Sequence, residues 1–243
     1  MDSGLLKKLL AGVTTPRAPT TLREVPDRSK LLNPEHLVAG WPSDKWEDWR
    51  PKEAWKREQV DRAVESIWPR LKAWADGEAR EMPGLQFYGM PGRAKTGVAL
   101  LLALRLARRG FLGKFVTAES LAAEVSSTAY DRRQGETILN LKMRYLAPAV
   151  LILDDICSRT YQDKERGFFL DLVRTRASRK RLTMLTTNLL LEPVMENGKK
   201  VMSDGARRYI ESLDGRVLST YSGFSFNADE WGPSLRGPGK DKS

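Results

Sequence analysis

From residue 85 onward the chain alternates short apolar runs with longer stretches whose apolar residues recur at helical spacing. The apolar runs predict strands over residues 85–88, 114–117, 150–153, 182–186 and 223–226. Helices are predicted between them, over 96–109, 119–125, 136–145, 164–179 and 203–220. Apolar strands that alternate with helices are typical of a parallel sheet covered on both faces. The predicted fold class is therefore α/β.

The remaining segments follow other patterns. Residues 5–11 predict a short amphipathic helix, and residues 13–42 are rich in proline and polar residues, as in a linker. Tryptophans and helical spacing predict a helix over 45–77, which Pro69 is expected to kink or restart. We expect three parts: a docking helix and flexible linker at 1–42, the α/β core at 43–231, and a disordered tail at 232–243, rich in Gly, Pro and Lys.

The segment 89–96 reads Gly-Met-Pro-Gly-Arg-Ala-Lys-Thr, and it follows a predicted strand and opens a predicted helix. This is the context of a phosphate-binding loop, in which backbone N–H groups and the helix N-terminus hold phosphates. Lys95 would reach the β- and γ-phosphates, and the Thr96 hydroxyl would bind Mg²⁺. Ala94 stands where a glycine is expected, and its Cβ narrows the conformations open to the loop. The predicted nucleotide-binding residues are Gly89, Met90, Pro91, Gly92, Arg93, Ala94, Lys95, Thr96 and Gly97.

Two further strands end in polar residues, in the order that nucleotide hydrolysis requires. The apolar run 150–153 leads into Asp154 and Asp155. At the carboxyl end of a central strand, Asp154 would bind Mg²⁺ through water, and Asp155 would act as a general base for the attacking water. The strand 182–186 leads to Asn188, which would contact the γ-phosphate. Each of these strand ends is common by itself, and only their order favours a nucleotide site.

Arginines after the last of these strands are candidates to reach the nucleotide of a neighbouring subunit. Arg207, Arg208 and Arg216 lie in this predicted helical stretch, and Arg216 is the first choice. Arginines on helices are more often solvated, so this assignment stays open.

Charge and composition narrow the classes of function. Forty-one Lys and Arg residues against 31 Asp and Glu give a formal charge of +10, which favours a polyanionic partner such as nucleic acid. Cys157 is the only cysteine and His36 the only histidine, which excludes an intramolecular disulfide and a Cys- or His-rich zinc site. No run approaches the ~18 apolar residues that span a bilayer. We expect a cytoplasmic protein with no membrane partner.

Taken together, these motifs resemble the DnaC/IstB group of AAA+ proteins, which contains bacterial and phage replicative helicase loaders and related transposition ATPases. The likeness covers about residues 41–231. It rests on the predicted helix with Trp46 and Trp55 and on segments 85–96, 115–118, 151–155, 185–188 and 215–218. It implies a P-loop AAA+ three-layer sandwich with a parallel central sheet, an initiator-type helical insertion and a small N-terminal helical extension. It also implies hydrolysis of ATP with Mg²⁺ bound by Thr96 and Asp154. The implied catalytic residues are Lys95, Asp154, Asp155, Asn188 and Arg216.

The same resemblance implies macromolecular partners. Such proteins self-associate into a spiral or ring, hold single-stranded DNA, and grip a DnaB-type replicative helicase through an N-terminal element. In the insertion, residues 119–141, the candidate DNA-binding residues are Ser127, Thr128, Tyr130, Arg132 and Arg133. In the N-terminal helix, the candidate helicase-binding residues are Leu5, Leu6, Leu9 and Leu10.

Three functions remain open. The first is an ATP-dependent helicase loader that acts on single-stranded DNA in replication initiation. The second is an IstB-like transposition ATPase that acts on duplex DNA. The third is a nucleotide-binding adaptor that does not hydrolyse ATP, which Ala94 and the short Asp155 side chain favour.

Overall fold

The computed structural model describes residues 38–41, 53–78, 84–130, 137–213 and 224–233. Six strands form one sheet, and each strand pairs in parallel with its neighbours. The strands are β1 (Val38–Ala39), β2 (Gly84–Tyr88), β3 (Gly113–Thr117), β4 (Val150–Asp154), β5 (Leu182–Thr186) and β8 (Ser225–Asn227). Their order across the sheet is β1-β3-β4-β5-β2-β8. The acidic strand β4 and the loop strand β2 therefore lie on either side of β5, with all their carboxyl ends at one edge.

Helices cover both faces of this sheet, and a small hairpin lies outside it. The helices are α1 (Ala54–Ala75), α2 (Lys95–Arg108), α3 (Ala118–Tyr130), α4 (Ile138–Leu146), α5 (Asp163–Ser178) and α6 (Asp204–Leu213). The hairpin pairs β6 (Val194–Glu196) with β7 (Lys199–Val201) in antiparallel register. A short 3-10 helix, Ala228–Trp231, follows β8.

Two hydrophobic clusters show that the fold has three layers. Along β4, Val150 and Ile152 belong to the cluster that contains α1 and α2. The alternate residues Leu151 and Leu153 belong to the cluster that contains α3, α4, α5 and α6. Since successive side chains of a strand point to opposite faces, the sheet lies between the two helical layers. The predicted α/β class and the three-layer sandwich with a parallel central sheet are confirmed.

Local side-chain contacts explain where two of these helices begin. The Thr137 hydroxyl accepts a hydrogen bond from the Asn140 N–H at 3.2 Å and caps the start of α4. At the start of α5, the Glu165 carboxylate accepts the Gln162 N–H at 2.9 Å, as part of a reciprocal capping pair. Both caps satisfy backbone donors that have no partner inside the helix.

A fully buried arginine, Arg176 of α5, connects the helical layer of α3 to α6 with the sheet. Its guanidinium donates to the carbonyl oxygens of Tyr145 at 2.8 Å, Pro148 at 3.0 Å and Leu182 at 2.6 Å. It also donates to the Thr183 hydroxyl at 3.0 Å. Carbonyl groups at a helix C-terminus carry partial negative charge, so the end of α4 suits a buried cation. The contacts join the end of α4 to the start of β5.

The structure adds elements that the sequence pattern missed, among them the short 3-10 helix after β8. Strand β1 lies in the segment expected to be a linker, where Val38 is fully buried and pairs with Gly113 of β3. The hairpin of β6 and β7 was not predicted, because its three-residue strands are too short for a periodic signal. The predicted helix 119–125 extends to Tyr130, and α3 and α4 together form a helical pair between β3 and β4.

Pro69 does not restart the N-terminal helix, which was one of the two effects expected of it. Helix α1 continues through Pro69 to Ala75. Ile67 and Leu71, on either side of the proline, are both fully buried in the first cluster. Packing of this helix against α2 therefore outweighs the roughly 3 kcal/mol that an interior proline costs a helix. The predicted helix at 5–11 lies outside the described residues. Of the tail predicted at 232–243, only Gly232 and Pro233 are described, and their carbonyl oxygens accept hydrogen bonds from Arg93 and Gln59.

Replacing Arg176 by methionine is expected to lower the free energy of unfolding by about 3 kcal/mol, because buried carbonyl groups would lose their donors. Denaturant unfolding followed by circular dichroism measures this change. Arg179→Met is the matched control, because Arg179 is exposed at the end of the same helix, and it is expected to cost less than about 0.5 kcal/mol. Equal losses in the two variants would contradict the anchoring role of Arg176.

Candidate nucleotide-binding site

The predicted phosphate-binding loop lies between β2 and α2, at the carboxyl edge of the sheet. Three of its residues have left-handed backbone conformations, with φ of +121° at Gly89, +79° at Gly92 and +60° at Ala94. These turns fold the loop tightly before α2 begins at Lys95. Glycine takes such angles freely, whereas at Ala94 they cost about 1 kcal/mol because the Cβ approaches the carbonyl oxygen. Ala94 packs against the first hydrophobic cluster, so its methyl group contacts the core.

Lys95 lies inside this loop, and 6% of its surface is exposed. Its ammonium group donates to the carbonyl oxygens of Gly89 at 2.8 Å and Met90 at 2.7 Å. A buried ammonium group requires such partners, because desolvation of an unpaired charge is costly. The hydrogen bonds place a positive charge at the N-terminus of α2, where backbone dipoles also favour an anion.

Asp154 lies at the carboxyl end of β4 and joins three elements. Its Oδ1 atom accepts hydrogen bonds from the Thr96 hydroxyl at 2.7 Å and from the Thr186 hydroxyl at 2.6 Å. Thr96 comes from the first turn of α2 and Thr186 from the end of β5. A carboxylate and a hydroxyl beside a phosphate-binding loop fit Mg²⁺, which prefers oxygen ligands and keeps several waters or phosphate oxygens.

Mg²⁺ held in this way needs few protein ligands. Among the residues that the structure describes, no group of three or more His, Cys, Asp or Glu side chains is arranged to hold a metal. With Thr96 and Asp154 as its protein ligands, a bound Mg²⁺ would take its other ligands from the nucleotide and water.

Asp155 and Asn188 meet beside Asp154. The Asn188 amide donates to Asp155 Oδ1 at 2.7 Å, and the Asp155 N–H donates to the Thr186 hydroxyl at 2.8 Å. Asp155 has a φ of +54°, a left-handed conformation that is uncommon for residues other than glycine. Two hydrogen bonds thus hold both the side chain and the backbone of a strained residue in place. The structure brings the predicted residues Asp154, Asp155 and Asn188 to one edge of the sheet.

A second polar cluster lies where β2 enters the loop. The Glu192 carboxylate accepts hydrogen bonds from the Tyr88 hydroxyl at 2.9 Å and from the Asn227 amide at 3.1 Å. Burial and this hydrogen bond raise the pKa of Tyr88 above its usual range, so the phenol stays protonated. The cluster joins the chain after β5 to the end of β8. Sequence analysis did not find it, because its members lie far apart in sequence.

The sequence analysis also missed Thr186 and Asp229 as residues of the site. Thr186 contacts both Asp154 and Asp155, and a signal for it existed, since a threonine ends the strand that neighbours the acidic strand. Asp229 accepts a hydrogen bond from Met90 in the loop at 3.1 Å. No local signal indicates Asp229, which is 139 residues away along the chain.

The single cysteine lies close behind the site. Cys157 is buried, and burial raises the pKa of its thiol to about 12. A buried thiol with a raised pKa is a poor nucleophile, because the thiolate is the reactive form.

Other predicted residues lie elsewhere or outside the described chain. The Ser127 hydroxyl donates to the Glu124 carbonyl at 3.0 Å on α3, and Thr128 follows it. Tyr130 ends α3. Arg132, Arg133, Arg216, Leu5, Leu6, Leu9 and Leu10 lie outside the described residues. Arg207 lies on the exposed side of α6, 3.7 Å from Asp204.

The sheet order, the lysine-bearing loop after β2 and the acidic end of β4 define a P-loop nucleotide-binding protein of the AAA+ class. Residues 80–229 match the model of the family of IstB-like ATP binding proteins. Because this match covers more than half of the chain, the protein belongs to the IstB-like ATP binding family. No curated protein matches the sequence significantly.

Solved structures with the same fold include a DnaC helicase loader, which shares 23% identity with a TM-score of 0.50. The alignment covers 73% of this chain and 91% of that one. DnaI shares 17% identity with a TM-score of 0.50, over 70% of this chain and 82% of its own. DnaA from Aquifex aeolicus, bound to AMPPCP, shares 15% identity with a TM-score of 0.50, over 85% of this chain. This chain spans only 53% of that DnaA. At these identities the likeness establishes the fold alone.

The part of the chain that the structure describes contains no helix that is both long enough and apolar enough to span a bilayer.

Replacing Ala94 by glycine is expected to raise the free energy of unfolding by up to about 1 kcal/mol, because glycine adopts this left-handed conformation without strain. Denaturant unfolding of the nucleotide-free protein measures the change. Ala123→Gly is the control, because Ala123 is exposed within α3 and glycine there is expected to cost about 1 kcal/mol. A loss of stability in both variants would contradict strain at Ala94.

Proposed function

We propose that the protein is an ATP-dependent helicase loader that acts in the initiation of DNA replication. It binds ATP with Mg²⁺, self-associates into a spiral or ring on single-stranded DNA, and delivers or remodels a DnaB-type hexameric helicase. The observation that supports the ATPase most directly is the meeting of Lys95, the Thr96–Asp154 pair and the Asn188–Asp155 pair at one edge of the sheet.

The loop would bind the phosphates. Backbone N–H groups at residues 92–96 and the N-terminus of α2 would hold the phosphate oxygens. Lys95, already inside the loop, would bind the β- and γ-phosphates. Thr96 and Asp154 would hold Mg²⁺, which supplies neutralisation of the charge that develops on the phosphate oxygens.

Asp155 and Asn188 would act on the attacking water. The Asn188 amide donates to the Asp155 carboxylate and orients it, and this carboxylate would accept a proton from the attacking water. Because the aspartate side chain is one methylene shorter than that of glutamate, the position of the Asp155 carboxylate follows closely from the backbone conformation of this residue. The contact with Thr186 fixes that backbone at the end of β4. Arg216 would complete the site from a neighbouring subunit.

DNA and the helicase would contact other parts of the chain. The α3–α4 pair lies between β3 and β4, and its candidates for phosphate and base contacts are Ser127, Thr128, Tyr130, Arg132 and Arg133. The formal charge of +10 supports a nucleic-acid partner. Leu5, Leu6, Leu9 and Leu10 would dock in a groove of the helicase.

The second candidate is a transposition ATPase that acts on duplex DNA, and the match to the IstB-like family favours it. Both candidates use the same core and the same hydrolytic residues. The preferred form of DNA separates them, because a loader acts on single strands. A third candidate, the adaptor that does not hydrolyse ATP, is supported by the strained Ala94.

The decisive experiment measures ATP hydrolysis without DNA, with single-stranded DNA and with duplex DNA. We expect turnover that rises with single strands and falls by about 10²-fold in Lys95→Ala, because this lysine stabilises charge on the transferred phosphoryl group. Lys72→Ala is the matched control, because Lys72 is an exposed lysine paired with Asp76 on α1. A parallel assay follows transfer of a DnaB-type helicase onto circular single-stranded DNA.

Each other result selects a different function. Stimulation by duplex DNA alone, without helicase transfer, would support the transposition ATPase. Nucleotide binding and DNA binding without turnover would support the adaptor. Turnover that survives in Lys95→Ala would contradict the proposed site.

Thr186→Val is expected to lower turnover by about 10- to 100-fold, because partners of metal and catalytic ligands have effects of this size. Valine keeps the shape of threonine but offers no hydroxyl to Asp154 or to the Asp155 N–H. Titration of Mg²⁺ at saturating ATP is expected to show a higher half-saturating concentration. Thr186→Ser keeps the hydroxyl and is expected to retain most of the activity. If serine lowers turnover as much as valine does, the hydroxyl is not the cause.

A further inference from the structure

The chain after β8 runs directly over the start of the nucleotide-binding loop. We call residues 228–233 the C-terminal strap; it contains the 3-10 helix and the two residues after it. A Cβ atom placed on Gly89 would lie 3.0 Å from Asp229 Oδ2 and 3.3 Å from Asn227 Oδ1. The strap therefore approaches the loop as closely as a residue without a side chain allows.

Three N–H groups of the loop, one from Met90 and two from Arg93, donate hydrogen bonds to the strap. The Asp229 carboxylate accepts the Met90 N–H, at 3.1 and 3.2 Å from its two oxygens. It also accepts the Arg93 Nε–H at 2.9 Å. The same Arg93 guanidinium donates to the Gly232 carbonyl at 2.6 Å. One carboxylate thus binds both the beginning of the loop and the residue that precedes Ala94.

The strap can hold the loop because the strap is itself anchored. The Asp229 N–H donates to Asn227 Oδ1 at 3.0 Å, and the Trp231 ring packs edge-on against Phe87 at 5.9 Å between centroids. The buried Gln59 side chain of α1 donates to the Pro233 carbonyl at 3.2 Å. These contacts join the strap to β2 and to α1, so the Asp229 carboxylate has a rigid support.

The ion pair between Arg93 and Asp229 is partly shielded from solvent, so it stabilises the contact between strap and loop. The side chains of Arg93 and Asp229 are 21% and 26% exposed, and the two hydrogen bonds of Arg93 fix its orientation. Charge-assisted hydrogen bonds of this kind are stronger than neutral ones. A fully exposed pair would contribute little to the loop.

The contact between the strap and the loop bears on the backbone conformation of Ala94. A non-glycine residue keeps a left-handed conformation only where its surroundings enforce it. Arg93, the residue before Ala94, is held at both Asp229 and Gly232, while Lys95, the residue after it, is held inside the loop. The contacts of Arg93 and Lys95 thus enforce at Ala94 a left-handed conformation that glycine would adopt without strain.

We propose that Arg93 and Asp229 are positioning residues of the nucleotide site. The strap holds the loop in the shape that binds phosphates, and so compensates for the alanine at position 94. The part of this proposal that concerns nucleotide affinity rests on the proposed ATP binding. The part that concerns the loop's conformation does not.

The first test measures the affinity for fluorescent ADP in the wild type, Asp229→Asn, Ala94→Gly and the double variant. Asp229→Asn is expected to bind about tenfold more weakly, the size of effect that follows loss of one charge-assisted contact. In the Ala94→Gly background the same change is expected to weaken binding by less than about threefold, because glycine needs no enforcement. Glu230→Gln is the matched control, because it removes the neighbouring carboxylate and keeps Asp229.

The second test measures hydrogen exchange of the loop amides, residues 89–96, without nucleotide. Asp229→Asn is expected to speed this exchange several-fold, and Ala94→Gly combined with it is expected to restore part of the protection. Global stability from denaturant unfolding shows whether each variant is folded. This readout needs no nucleotide, so it tests the strap even if the wild-type protein binds no ADP, a result that would contradict the proposed function instead.

Four outcomes would overturn the proposal. Unchanged affinity and unchanged exchange in Asp229→Asn would show that the strap does not position the loop. Tighter binding in Asp229→Asn would show that the strap obstructs nucleotide. An equal loss in the wild-type and Ala94→Gly backgrounds would show that Asp229 does not compensate for the alanine. An equal effect of Glu230→Gln would show that general acidity, and not this contact, is responsible.

Discussion

The carboxylate of Asp154 is the constraint on which the rest of the site depends. It ends the central, fully buried strand β4, and it accepts hydroxyl groups from Thr96 on α2 and Thr186 on β5. A buried carboxylate is costly unless it is hydrogen-bonded, so these three elements are stable together in one arrangement. That arrangement brings the nucleotide-binding loop, the acidic strand and the strand leading to Asn188 to the same edge of the sheet.

Two residues at this edge have strained backbone conformations. Ala94 and Asp155 both have left-handed conformations, and each is held by neighbours that come from other elements. For Asp155 the neighbours are Thr186 and Asn188 of the β5 region. For Ala94 they are reached through Arg93, which is bound to the strap. Strain of about 1–3 kcal/mol per residue persists where packing over-determines the conformation, and in both places it orients groups that would act on a nucleotide.

The two helical layers support different parts of the molecule. One layer, with α1 and α2, packs behind the loop and supports the strap through Gln59. The other, with α3 to α6, carries the helical pair proposed to contact DNA and is fastened to the sheet by Arg176. Strands β4 and β5 lie between the two layers, and their residues contribute to both clusters.

Sequence alone determined the parallel strands of the core, the loop at 89–96, and the candidates Asp154, Asp155 and Asn188. It could do so because each depends on neighbouring residues: an apolar run, a Gly-rich turn, a polar residue at a strand end. Tertiary structure alone decided the two-residue strand β1, the continuation of α1 through Pro69, the contacts of Thr186, and the pairing of Arg93 with Asp229 across 136 positions. These features depend on contacts between segments far apart in the chain. The local pattern of apolar and polar residues does not indicate which distant segments come into contact.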